Sequence, residues 1–245
     1  MRPMAILLVV SFAGFAYAFA MRQRTSRMFT VRLCRNARNP HGKDRSFEQF
    51  GIPGIVVAND LLDEYGLSGY SVVPCDGITR NVCSANDERI ILSKHVYDGS
   101  TNVAVSVAAH EAAHAKVDSD SPWLVALITR LTLLKRFLYL EIPCLLVVGL
   151  IYYGFGATDA KLSYVPMLSA VTLLVTNVLI ALLTLVNEYR ASFTAMSFIE
   201  RQYGACGRKS ARCASIMKEG FVTYAWAGAA CVLGSLTLVL LFALI

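Results

Sequence analysis

The sequence predicts a mainly α-helical membrane protein, with about four transmembrane helices and a small α+β segment between the first and the second. Three observations carry this expectation. Of 245 residues, 56% are hydrophobic and 16% charged, against about a quarter charged in an ordinary soluble domain. The apolar residues collect into four runs with the charges held between them. An alanine-rich stretch, "VAAHEAAHAK" from Val107 to Lys116, gathers two of the chain's four histidines around a glutamate.

The first run, Met4 to Ala20, is at the short end of the roughly 17 to 25 residues a spanning helix needs. "AYA" and "AFA" at its end resemble signal-peptide cleavage sites, but a signal peptide carries its positive charge in front. Here Arg2 alone precedes the run, whereas Arg22, Arg24, Arg27, Arg32, Arg35, Arg38, Lys43 and Arg45 follow it. The positive-inside rule then places the N-terminus outside and residues 21–136 in the cytoplasm. Residues 21–50 read as a basic membrane-proximal arm or short helix with little fold of its own.

Residues 51–136 form the α+β segment. "LLDEYGL" suggests a helical turn, "YSVVPC" and "ERIILS" suggest strands, and "CSANDE" suggests a turn between them. Ser100, Thr101 or Asn102 can cap the next helix, which is expected from Val103 to about Val117 before "DSDSPW" breaks it.

The second and third runs, about Phe137–Gly156 and Ser163–Val186, make residues 137–186 two further spans. The connection 187–220 should return to the cytoplasm, and it carries Arg190, Arg201, Arg208, Lys209, Arg212 and Lys218. The outer turn 157–162 has Lys161 as its only base. A fourth span, 221–245, closes the chain. The net charge of +6 therefore reads as topology and contact with anionic headgroups of the bilayer. No basic surface with a nucleic-acid motif is present, so no nucleic-acid partner is expected. Seven cysteines without C-x-x-C spacing argue against a zinc ribbon and, with a cytoplasmic assignment, favour free thiols, whereas an inverted topology would allow Cys75 and Cys83 to pair.

On the helix of the α+β segment, His110 and His114 are one turn apart and share a face, which suits the gripping of one ion. Glu111 lies about 100° round the helix, close enough to take a proton from metal-bound water without being a ligand. Chance alone would produce His-Glu-x-x-His in this composition roughly two times in a thousand chains. The competing reading is a buried helix whose histidines meet backbone carbonyls. A catalytic zinc usually has three protein ligands and one open position. Glu188, directly after the third run and on the same predicted side, is the favoured third ligand. Its ordinary alternative is a solvated carboxylate near Arg190. Asp120, ten residues after His110, and Glu141, inside the second run, are further candidates.

The assembly "ILSKHVYDGSTNVAVSVAAHEAAHA", then apolar helices, "NEYRAS" and "GRKSARCASIMKEGFVTYAWAG" resembles the membrane-embedded neutral zinc metallopeptidases of the YugP-like family, from about Gly51 onward. The resemblance implies a zincin-like segment, one zinc ion per chain on His110, His114 and Glu188, and Glu111 as the catalytic residue. Ala113 departs from the family, which commonly has glycine there. The implied function is an integral-membrane zinc metalloendopeptidase of the plasma or inner membrane, with its site on the cytoplasmic side and a peptide or membrane-protein substrate. Zinc would bring the pKa of its water toward about 7 and Glu111 would take the proton. His95, Tyr189 and Tyr224 are candidate oxyanion donors, and "ERIILS" a candidate edge for an extended substrate. The alternatives are a protease closer to the CAAX-processing and heat-shock type, or a non-proteolytic membrane scaffold or chaperone.

Overall fold

The computed structural model describes residues 2–38, 49–77, 80–154, 160–204 and 207–244. The described residues are mainly helical. In order it forms α1 (Arg2–Arg38), α2 (Gly54–Glu64), β1 (Ser71–Cys75), β2 (Val82–Ser84), β3 (Arg89–Ser93), α3 (Lys94–Tyr97), α4 (Asn102–Asp120), α5 (Pro122–Gly154), α6 (Ala160–Tyr203) and α7 (Arg208–Leu244). It divides into two compact units. One comprises Met1–Gln23, Trp123–Thr184 and Tyr224–Ile245; the other comprises Arg24–Pro122 and Leu185–Thr223.

The first unit holds most of the apolar sequence. Ile6, Val9, Val10 and Phe12 of α1, and Leu168, Val175 and Leu182 of α6, are exposed. So many adjacent bare apolar side chains would be costly in water and are at home in hydrocarbon. Two hydrogen bonds join polar side chains of different helices inside this unit. Asn177 Nδ2 donates to Ser235 Oγ at 2.7 Å and Thr237 Oγ1 to Ser11 Oγ at 3.2 Å, the kind of contact that holds helices together in lipid.

Three helices among the described residues are long and apolar enough to cross a membrane: Ile6–Arg35, Met167–Tyr203 and Arg208–Ala243. Three of the four expected spans are among them. Most of the run Phe137–Gly156 falls on side chains outside the described residues.

The second unit is built around α4. This helix is buried on nearly every face, from Val103 through Ala109 and again at Ala112, Ala113, Ala115 and Val117, as expected of a helix at the centre of a core. Alanine makes that enclosure possible by keeping the cylinder slim. Helix α2 packs on it through Val57, Ala58, Leu61 and Leu62. At Gly54 an added Cβ would lie 2.2 Å from the Val96 carbonyl oxygen and 3.1 Å from the Ala108 Cβ. Only glycine allows that approach. Ala191, Ala195, Phe198 and Ile199 of α6 and Cys213, Ile216 and Met217 of α7 belong to the same core.

The sheet runs β1-β3-β2, with β1 parallel and β2 antiparallel to β3. Val72 pairs with Ile90, and Cys83 pairs with Ile90 from the other side. The "ERIILS" strand is therefore central, its two neighbours occupying both of its edges. The expectation that it offers an edge to a substrate is corrected: the edges of this sheet are β1 and β2. The basic arm also differs from expectation. Residues as far as Arg38 continue α1, with Leu33 only 2% exposed in the core of the second unit. No glycine or proline interrupts the chain between Phe15 and Arg38, and its arginines, methionines and alanines are good helix formers.

Candidate metal centre

Helix α4 starts where the sequence offers a cap. Of the three candidates Thr101 acts, its Oγ1 accepting from the Ala104 N–H at 3.2 Å. The helix ends at Asp120, one turn beyond the expected Val117, directly before Ser121 and Pro122. This register aims His110 and His114 at α6. There Glu188 and Ser192, also four residues apart, face them.

The three candidate ligands converge. His110 Nε2 lies 3.1 Å from His114 Nε2 and 3.2 Å from Glu188 Oε2, and His114 Nε2 lies 3.7 Å from the same oxygen. Ligands of a tetrahedral zinc with bonds of about 2.0 to 2.1 Å stand about 3.3 Å from one another. The spacing thus fits one small ion shared by two imidazoles and a carboxylate. No other group of three or more potential ligands meets this condition among the described residues. Among the described residues the histidines meet side chains rather than backbone carbonyls, and Glu188 is not solvated: it is 6% exposed. Arg190 donates to Ser121 Oγ at 2.9 Å.

The surroundings also suit a cation. Asp118 has a buried Oδ1 without a partner among the described residues. Burial raises its pKa first, opposed by the His114 charge and a hydrogen bond with Asn187. For His114, burial alone would lower the pKa, but a hydrogen bond to the Glu188 carboxylate and the charges of Glu111, Glu188 and Asp118 outweigh it, and the pKa is raised. A site that draws a proton onto an imidazole through three nearby carboxylates offers the same field to a divalent ion.

Ser192 Oγ lies 3.4 Å from His110 Nδ1. With Nδ1–H donating, Nε2 keeps its lone pair toward the shared point. Glu111 Oε2 accepts the backbone N–H of Cys83 on β2 at 3.1 Å, so the edge strand holds this carboxylate. Burial, Asp118 and Glu111 push the Cys83 thiol well up, leaving it protonated and a poor ligand. Cys34, Cys75, Cys83, Cys213 and Cys231 are all free thiols.

The other candidates lie elsewhere. Asp120 is exposed and paired with Lys116, and Glu141, in the other unit, accepts from Ser169 Oγ at 3.4 Å. His95 Nε2 lies 3.5 Å from Ser93 Oγ. Tyr189 is exposed and stacked on Phe193 with ring centroids 6.4 Å apart, and Tyr224 belongs to the other unit. Sequence reading gave no role to Ser192 or to the Cys83 N–H. The first was signalled by its position four residues after Glu188; a backbone donor leaves no signal.

A family model described as putative neutral zinc metallopeptidase matches residues 41–243. The chain belongs to this family. The match spans the α+β elements, α4, and the part of α6 that carries Glu188, so the zinc metallopeptidase family is shown across the whole centre. No curated relative and no solved structure matches the chain.

Proposed function

We propose that the chain is an integral-membrane zinc metalloendopeptidase with His110, His114 and Glu188 as metal ligands and Glu111 as the catalytic acid and base. The observation that carries this reading is the convergence of the three ligand atoms, all within 4.8 Å of one another, beside a glutamate tethered to an edge strand. Bound there, zinc supplies Lewis acidity, which polarises a peptide carbonyl and makes water a competent nucleophile near neutral pH. Glu111 takes the proton from the attacking water and returns it to the leaving amine. The Cys83 N–H fixes the orientation of that carboxylate, and Ser192 fixes the His110 ring.

The test is zinc stoichiometry of purified protein together with cleavage of a quenched peptide library. His110→Ala and Glu188→Ala should lose the metal and the activity, whereas Asp120→Ala and Glu141→Ala should retain both. Glu111→Gln should keep zinc and lose cleavage, since removing a positioned general base costs about 10²-fold or more. Full zinc occupancy in Glu188→Ala would remove it as third ligand. An unchanged cellular phenotype in Glu111→Gln would instead identify a scaffold.

A further inference from the structure

The second unit holds a cavity of about 580 Å³ lined by Arg27, Met28, Val31, Arg32 and Arg35 of α1, Asn102 and Val103 of α4, and Arg212, Ser215, Ile216 and Glu219 of α7. None of these residues belongs to the metal centre. We propose that this cavity binds an anionic phospholipid, its phosphate on the arginines and the start of an acyl chain on Met28, Val31, Val103 and Ile216.

Charge gives the first argument. Four arginines and one glutamate line the cavity; Glu219 is engaged by Arg32 at 2.9 Å, and Arg212 has a contact of its own. Arg27 and Arg35 are exposed and make no ion pair among the described residues. Helix α4 presents its first residues to the same space, where the backbone dipole is positive. The lining therefore favours an anion, and guanidinium forks match phosphate oxygens.

Composition of the wall gives the second. Met28 and Val31 are 51% and 50% exposed between the arginines. A free phosphate would satisfy the guanidinium groups and leave these side chains bare, whereas an amphiphile covers both. Placement in the chain gives the third. Arg27 follows the last residue of the first apolar run, Ala20, by seven positions, and Ser215 and Glu219 stand just before the last run, which starts at Phe221. Both helices are candidate membrane spans, and basic segments beside a span meet lipid headgroups. The inference does not depend on the peptidase reading.

The full chain in neutral detergent is titrated with dioleoyl phosphatidylglycerol, with dioleoyl phosphatidylcholine, and with inorganic phosphate, following thermal unfolding and bound lipid by native mass spectrometry. Phosphatidylglycerol should raise Tm and remain bound; the other two should do neither. Arg27→Gln/Arg35→Gln alters two exposed side chains and should leave the lipid-free Tm unchanged while weakening phosphatidylglycerol binding roughly thirtyfold. Val31→Trp, which fills the apolar wall, should reduce binding without changing the charge. An equal Tm shift from inorganic phosphate would reduce the cavity to an anion site, and an equal shift from phosphatidylcholine would remove the role of the arginines. Undiminished phosphatidylglycerol binding in both variants would place the lipid elsewhere. Each of these three results overturns the proposal.

Discussion

At His114 the electrostatics make a prediction about pH. The metal-free imidazole holds its proton above the ordinary value of 6.5, so proton and ion compete for the same nitrogen at a higher pH than for a free histidine. Zinc affinity, measured by competition with a chromophoric chelator, should already be falling as pH drops toward 6.5. In the metal-free protein the sign of the stability effect is opposite. A raised folded pKa stabilises fully below the unfolded value, and that contribution is lost as pH rises through the folded one. Chelator-treated wild type should therefore lose Tm across this window relative to His114→Ala. Ser192 supports the neighbouring ring, and Ser192→Ala should weaken zinc about 10- to 100-fold, with Glu111 and its cleavage chemistry intact at saturating metal. The histidine pair was legible because their spacing is a property of one helix. The Cys83 N–H was not, because every residue but proline carries the same donor.

Among the elements, α4 is the one whose composition and position explain each other. Ala109, Ala112 and Ala113 are 0% exposed, so Ala112→Leu has no space to enter. It should destabilise by about 1 to 3 kcal/mol, read as a lower Tm, and should reduce zinc occupancy because His110 and His114 ride on the same helix. Its start was legible in the sequence to within a residue and its end to within a turn, the cap was narrowed to three neighbouring residues, and β1 and β3 were legible too. The three-residue β2 was hidden, being too short for any alternation to register. The order of the sheet was hidden too, since it depends on which strands meet through space. The length of α1 was underestimated because its arginines suggested a solvated arm, whereas Phe29 and Leu33 on the same stretch join the core and propensity carries the helix on.

For the whole molecule, the apolar runs and their connecting charges were visible from composition, and three of them lie on helices fit to cross a membrane. Which side of the membrane carries the centre is a further prediction, resting on the arginines and lysines of residues 21–45 and 187–220. A cysteine-free variant with Ser119→Cys, an exposed position, should resist a membrane-impermeant maleimide in intact cells and react once they are permeabilised. Labelling from outside would invert the topology. The convergence of Glu188 with the histidines was legible only as a matter of side, since topology limits which residues can meet but does not bring them together.

The separation of those ligands along the chain sets a timetable for biosynthesis. His110 and Glu188 are 78 positions apart, and at translation rates of about 5 to 20 residues per second the ribosome needs roughly 4 to 16 seconds to travel from one to the other. During that interval the growing polypeptide has His110, Glu111 and His114 but not yet Glu188, so the group of three possible ligands cannot come together until the helix bearing the last of them has been made.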